Sequence, residues 1–107
     1  MSTTPSELRI HIIKDLKLKQ RALPAKISDT RELELKLAQL IEALLKDNLP
    51  ELMQILYRID VDEQKVKKAL ITPFSEEAAE NIARLIIQRL IQKIEIRKRY
   101  SNLDQSF

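Results

Sequence analysis

Between Leu33 and Lys46 the apolar residues Leu33, Leu37, Leu40, Ile41, Leu44 and Leu45 recur every three or four positions, the repeat of one wide helix face. The pattern resumes after Asp47-Asn48-Leu49-Pro50-Glu51. There Leu52, Met53, Ile55, Leu56 and Ile59 predict a third helix near residues 49 to 59 with those five side chains buried. A short fourth helix is expected near 62 to 70 with Val66, Ala69 and Leu70 inward, and a long fifth from Glu76 to about Tyr100. The first segment is ambiguous. Leu8, Ile12, Ile13 and Leu16 have helical spacing towards Gln20, whereas the alternation Leu8, Ile10, Ile12 and then Leu16, Leu18 also fits a strand.

Helix starts and stops divide these runs. Thr4-Pro5-Ser6-Glu7 places an N-cap, a proline at the first helical position and a glutamate three residues on. Pro24 ends the first segment by pushing its predecessor out of the helical region. Asp29 and Glu32 stand at capping-box spacing before the second helix, and Asn48 is placed to cap the third. Thr72-Pro73-Phe74-Ser75 separates the last two helices. The expected architecture is all-α: a compact bundle of four to five helices with a long C-terminal helix. It forms one domain over residues 1–107, frayed at 1–4 and 101–107, with Leu37, Leu40, Ile41, Leu44, Leu52, Leu56, Ile82, Ile86 and Leu90 in its core.

The fifth helix carries more apolar surface than one face needs. Ala78, Ala79, Ile82, Ala83, Leu85, Ile86, Ile87, Leu90, Ile91, Ile94 and Ile96 cover over half its circumference, against the ~100° stripe of an ordinary surface helix. Either it is the centre of the bundle, the favoured reading, or a second chain buries its other side. In the second case Leu85, Ile87, Ile91 and Ile94 would form a protein interface, and the chain could be a homodimer.

Composition narrows the chemistry. The chain has no glycine, so the positive-φ turns of a P-loop or a dinucleotide-binding loop are excluded, and tight β-hairpins are disfavoured. It has no cysteine, which excludes disulfides, thiolate metal ligands and a cysteine nucleophile. No apolar run reaches the ~18 residues that cross a bilayer, and no signal segment is visible. A cytoplasmic protein without membrane, metal or cofactor is expected.

Asp60-Val61-Asp62-Glu63 is the densest cluster of carboxylates. Read as an EF-hand loop from Asp60, it puts Lys65 where glycine is required and Ile71 where the twelfth-position glutamate belongs. A helix corner explains it better: Asp60 or Asp62 as N-cap, Glu63 in the first turn, and Ile59 and Val61 packed inward. The stretch Leu56-Tyr57-Arg58-Ile59-Asp60-Val61-Asp62-Glu63, continued by Lys65-Val66-Lys67-Lys68-Ala69-Leu70 and a basic-ended helix, resembles uncharacterised small helical proteins of bacteria over roughly the C-terminal half. That resemblance implies no activity, cofactor or site residue.

His11 is the only histidine. With no motif-placed nucleophile it reads as a surface or boundary residue, with Asp15 one turn on as a helical partner. Charge is segmented: residues 9–26 and 84–100 are strongly basic, and 29–63 are acidic. Acidic helices packed beside basic ones would account for this. The alternative is a nucleic-acid surface built from both basic segments, with Arg89, Lys93, Arg97, Lys98 and Arg99 as contacts. The chain is therefore expected not to be an enzyme but a helical protein-interaction module, binding another chain or its own copy.

Overall fold

The computed structural model describes residues 3–105, the last four by backbone alone. Among these residues the chain forms five α-helices: α1 Pro5–Asp15, α2 Thr30–Asp47, α3 Leu49–Ile59, α4 Glu63–Ala69 and α5 Ser75–Gln105. A 3-10 turn at Gln20–Ala22 lies between α1 and α2. The ambiguous first segment is thus helical.

Local side-chain chemistry starts four of the five helices. Thr4 Oγ1 accepts from the Glu7 amide at 3.1 Å, Asp29 from that of Glu32 at 2.8 Å and Asn48 from that of Glu51 at 3.3 Å. Asp62 accepts from Gln64 at 2.8 Å and Lys65 at 3.4 Å. Each satisfies amides that the first turn leaves without a partner, typically contributing ~1 kcal/mol. The capping box of α2 is offset by one residue. The Glu32 carboxylate reaches back past Asp29 to the amide of Ser28 at 2.9 Å and its hydroxyl at 2.7 Å.

α1 stops at Asp15 rather than near Gln20, and the cause is its C-terminal turn. The Leu18 amide bonds the Ile13 carbonyl at 2.9 Å and the Lys17 amide that of Lys14 at 3.2 Å, with Lys17 at φ 56°. This is a Schellman closure. α3 ends the same way, with Val61 to Leu56 and Asp60 to Tyr57 at 3.1 Å each and Asp60 at φ 66°. In a chain without glycine, a lysine and an aspartate occupy the left-handed positions.

α5 is the spine. At ~1.5 Å per residue its 31 residues span about 46 Å, and the molecule measures 51 × 31 × 21 Å. It packs against each of the other four helices, most extensively α2. Ile82, Ala83, Ile86, Ile87, Leu90 and Ile94 are all buried in one core with Leu8, Ile12, Leu33, Leu37, Ile41, Leu52, Ile55, Leu56 and Ile59. Each such Leu or Ile contributes about 1.5–3 kcal/mol by leaving water.

Four burial expectations, for Leu40, Leu44, Met53 and Leu70, need correction. Leu40 and Leu44 are only half-buried against the core. Met53 and Leu70 are 42% and 37% exposed, because the inward face of α3 runs through Leu52, Ile55, Leu56 and Ile59 and that of α4 through Val66 and Ala69. Segment 101–105 continues α5, and Thr4 accepts the capping bond of α1. The expected fraying of residues 1–2 and 106–107 falls outside the described residues.

Candidate functional site

The carboxylate cluster is resolved into two separate structural jobs. Asp62 caps α4, while Asp60 closes α3 and accepts from Arg89 of α5 at 3.3 Å. Ile59 is buried and Val61 half-buried against the core, so the corner is held on both sides. No group of three or more potential metal ligands occurs among the described residues, and no described helix is long and apolar enough to cross a membrane.

The interface residues suggested by the circumference of α5 divide. Ile87 and Ile94 are 3% exposed and lie in this chain's own core, so neither presents surface to a second chain. Leu85 and Ile91 are half-buried at the core's edge. The central position of α5 accounts for most of its apolar residues, while Ile96 remains 41% exposed.

Exposed apolar side chains occur on several elements, Ile10, Phe74 and Tyr100 among them, and Met53, Tyr57 and Leu70 gather on α3 and at the end of α4. These helices leave the Asp60–Asp62 corner as the two walls of a groove of about 590 Å³, whose apolar lining is Met53, Leu56, Tyr57, Val61, Val66 and Leu70. Tyr57 is 90% exposed, so its ring lies on the rim. Asp60, Asp62 and Glu63 give the groove an acidic corner, where α3 ends and α4 begins. The sequence reading missed this feature because it assigned Met53 and Leu70 to the core. The signal was present: Met53 and Tyr57 are four apart, on the flank of the Leu52–Ile59 face.

The basic residues fare unequally. Arg89 is engaged by Asp60 and by Gln92, the latter at 2.8 Å, and Lys98 is paired with Glu7 at 3.1 Å. Arg9 is absorbed by three backbone carbonyls, of Pro24, Gln20 and Leu23. The continuous stripe Arg89–Lys93–Arg97 is thereby interrupted. Lys93 and Arg97 instead meet Lys14, Lys17 and Arg58 in a cleft of about 300 Å³ that also contains Asp15 and Ile59. Arg99 is exposed. His11 is half-buried on α1 and forms no ion pair with Asp15.

Charge segmentation also has an internal outcome. Glu34 of α2, 8% exposed, accepts from Arg31 and from Arg84 of α5, while Arg31 also reaches Glu80 of α5 at 3.2 Å. The acidic and basic segments therefore meet across the α2–α5 seam. Fold and groove together define a small all-α bundle that presents an apolar helix-lined trough. Comparison with protein families, with curated proteins and with solved structures yields no match.

Proposed function

We propose that this protein is a cytoplasmic helical interaction module that acts by binding rather than by catalysis, and that the α3–α4 groove receives an amphipathic helix of a partner protein. The observation that carries this is the groove itself: six apolar residues converge on a trough of about 590 Å³ open to water. Apolar grooves between helices take the apolar face of a third helix through anchors at i, i+3, i+4 and i+7. Met53 suits the role because an unbranched thioether adapts to varied partners, and Tyr57 because its ring offers large contact area at low entropic cost. Asp62 and Glu63 favour a partner with lysine or arginine at the end lying over the corner, away from Lys67.

The test uses a synthetic amphipathic Leu/Lys helix as probe. Titrated into labelled protein, it should shift the amide signals of residues 53–70, and Tyr57→Ala should weaken binding about tenfold without loss of helix content. Shifts confined to other surfaces, or none, would exclude the groove. Sedimentation of the protein alone separates a foreign partner from a second copy: concentration-dependent dimerisation abolished by Tyr57→Ala would make the occupant this chain itself.

A further inference from the structure

We propose that the cleft formed by Lys14, Lys17, Arg58, Lys93 and Arg97 binds a compact polyphosphate, a ligand with two or more adjacent phosphate groups. The five cations come from three separated segments: the end of α1 and the residue pair after it, the last turn of α3, and the middle of α5. They converge on one hollow of about 300 Å³. None of the five has an ion-pair partner among the described residues.

Basic residues at helix ends have a simpler explanation, which is attraction to the C-terminal dipole. The magnitudes show that it is insufficient here. The C-termini of α1 and α3 each supply about half a negative charge, and Asp15 supplies one more. About three positive charges in the cleft remain without compensation. Arg58 donates one N–H to the Asp15 carbonyl at 3.3 Å, which orients a planar fork whose other donors suit phosphate oxygens. Lys17 sits at φ 56°, a backbone conformation that glycine would adopt without steric cost. The backbone of the turn therefore does not require the ammonium that Lys17 adds to the cleft.

The convergence also selects the ligand. A nucleic-acid backbone needs cations strung along a surface, yet on α5 the flanking Arg89 and Lys98 are already neutralised by Asp60 and Glu7. No aromatic side chain lines the cleft, so base stacking has no platform. A short chain of phosphates fits both the concentration of charge and its abrupt limits.

Calorimetric titration at low salt provides the test, with inorganic phosphate, tripolyphosphate, a nucleoside triphosphate and a DNA duplex as probes. Tripolyphosphate should bind one to one, about tenfold or more tightly than monophosphate, and Lys93→Gln with Arg97→Gln should weaken it by about tenfold or more. Lys65→Gln with Lys68→Gln removes the same charge elsewhere and should change little. A nucleoside triphosphate bound as well as tripolyphosphate identifies the phosphates alone as the recognised element; one bound far more tightly identifies a nucleotide as their source. Equal loss in both double variants, absence of phosphate binding, or binding of the duplex alone would overturn the proposal. Should the cleft variant fail to fold, amide shifts of Lys17 and Arg58 in the unmodified protein on adding tripolyphosphate decide, and their absence is as damaging.

Discussion

The Arg9 guanidinium of α1 donates to the carbonyl of Pro24 at 2.6 Å, clamping α1 to the connection that leads to α2. Two further bonds, to Gln20 at 2.7 Å and Leu23 at 3.0 Å, complete the clamp. The segment between α1 and α2 contains only a single 3-10 turn, so most of its carbonyls need partners other than a helix ladder. One cation supplies three of them, and Leu23, 1% exposed, is thereby seated in the core.

Arg9→Ala should therefore cost about 1–3 kcal/mol, the range for charge-assisted bonds lost at a partly exposed site. Arg9→Lys should recover less than half of that, since an ammonium cannot reproduce the fork. Urea denaturation measures both. Hydrogen exchange of residues 18–24 should accelerate in the alanine variant while α5 amides stay protected; uniform acceleration would argue against a local clamp.

Lys17 and Asp60 provide a second expectation, because they are the non-glycine residues with positive φ. A left-handed conformation costs most side chains about 1–2 kcal/mol, with aspartate tolerated better. Lys17→Gly should raise stability by up to about 1 kcal/mol. Asp60→Gly should be nearly neutral, as it also removes the exposed pair with Arg89. Asp60→Val should cost about 1–2 kcal/mol, because a β-branched side chain crowds that conformation. Thermal melts that rank valine above glycine at residue 60 would contradict the strain account.

What could be read in the sequence was local. Thr4, Asp29, Asn48 and Asp62 act on amides two or three residues away, so their spacing alone identified helix starts. The core face of α5 followed from a period of 3.6, and that of α2 in part, with Leu37 and Ile41 buried but Leu40 and Leu44 half-buried. The groove and the basic cleft did not follow, because each depends on how separated segments fold back. Met53 and Leu70 line one groove, and Lys14, Arg58 and Arg97 one cleft, only through the packing of separated segments. The apolar circumference of α5 favoured a central helix over a dimer helix, and the packing of α5 against all four other helices agrees with the central position. The absence of glycine concealed both Schellman turns.

Glu32 carries a pH dependence of known sign. The Ser28 backbone amide, then the Ser28 hydroxyl, hold its carboxyl below the ordinary 4.5, with Lys36 adding a smaller effect and desolvation opposing it. The folded state thus favours the ionised form. Its stabilising contribution is complete above the unfolded value and disappears as pH falls through the lower folded value. Glu32→Gln should accordingly melt below the unmodified protein at pH about 6, and the difference should shrink as the pH drops below about 4. A gap in melting temperature that stays constant across that range would show that the interaction does not depend on ionisation.

Glu34 offers the sharpest test of the seam between α2 and α5. Its side chain is 11% exposed, whereas those of its partners Arg31 and Arg84 are 57% and 46% exposed. Removal of the carboxylate therefore frees two cations that can turn into water, unlike the fully buried case in which a stranded charge costs about 3–5 kcal/mol. Glu34→Ala should cost about 1–2 kcal/mol, part of it lost packing. Glu34→Leu should come close to neutral, since an apolar side chain refills the seam and both arginines remain hydrated. Equilibrium denaturation of the two variants distinguishes the cases. Equal losses of about 3 kcal/mol or more in both would mean that the arginines are trapped and that their charges depend on the Glu34 carboxylate.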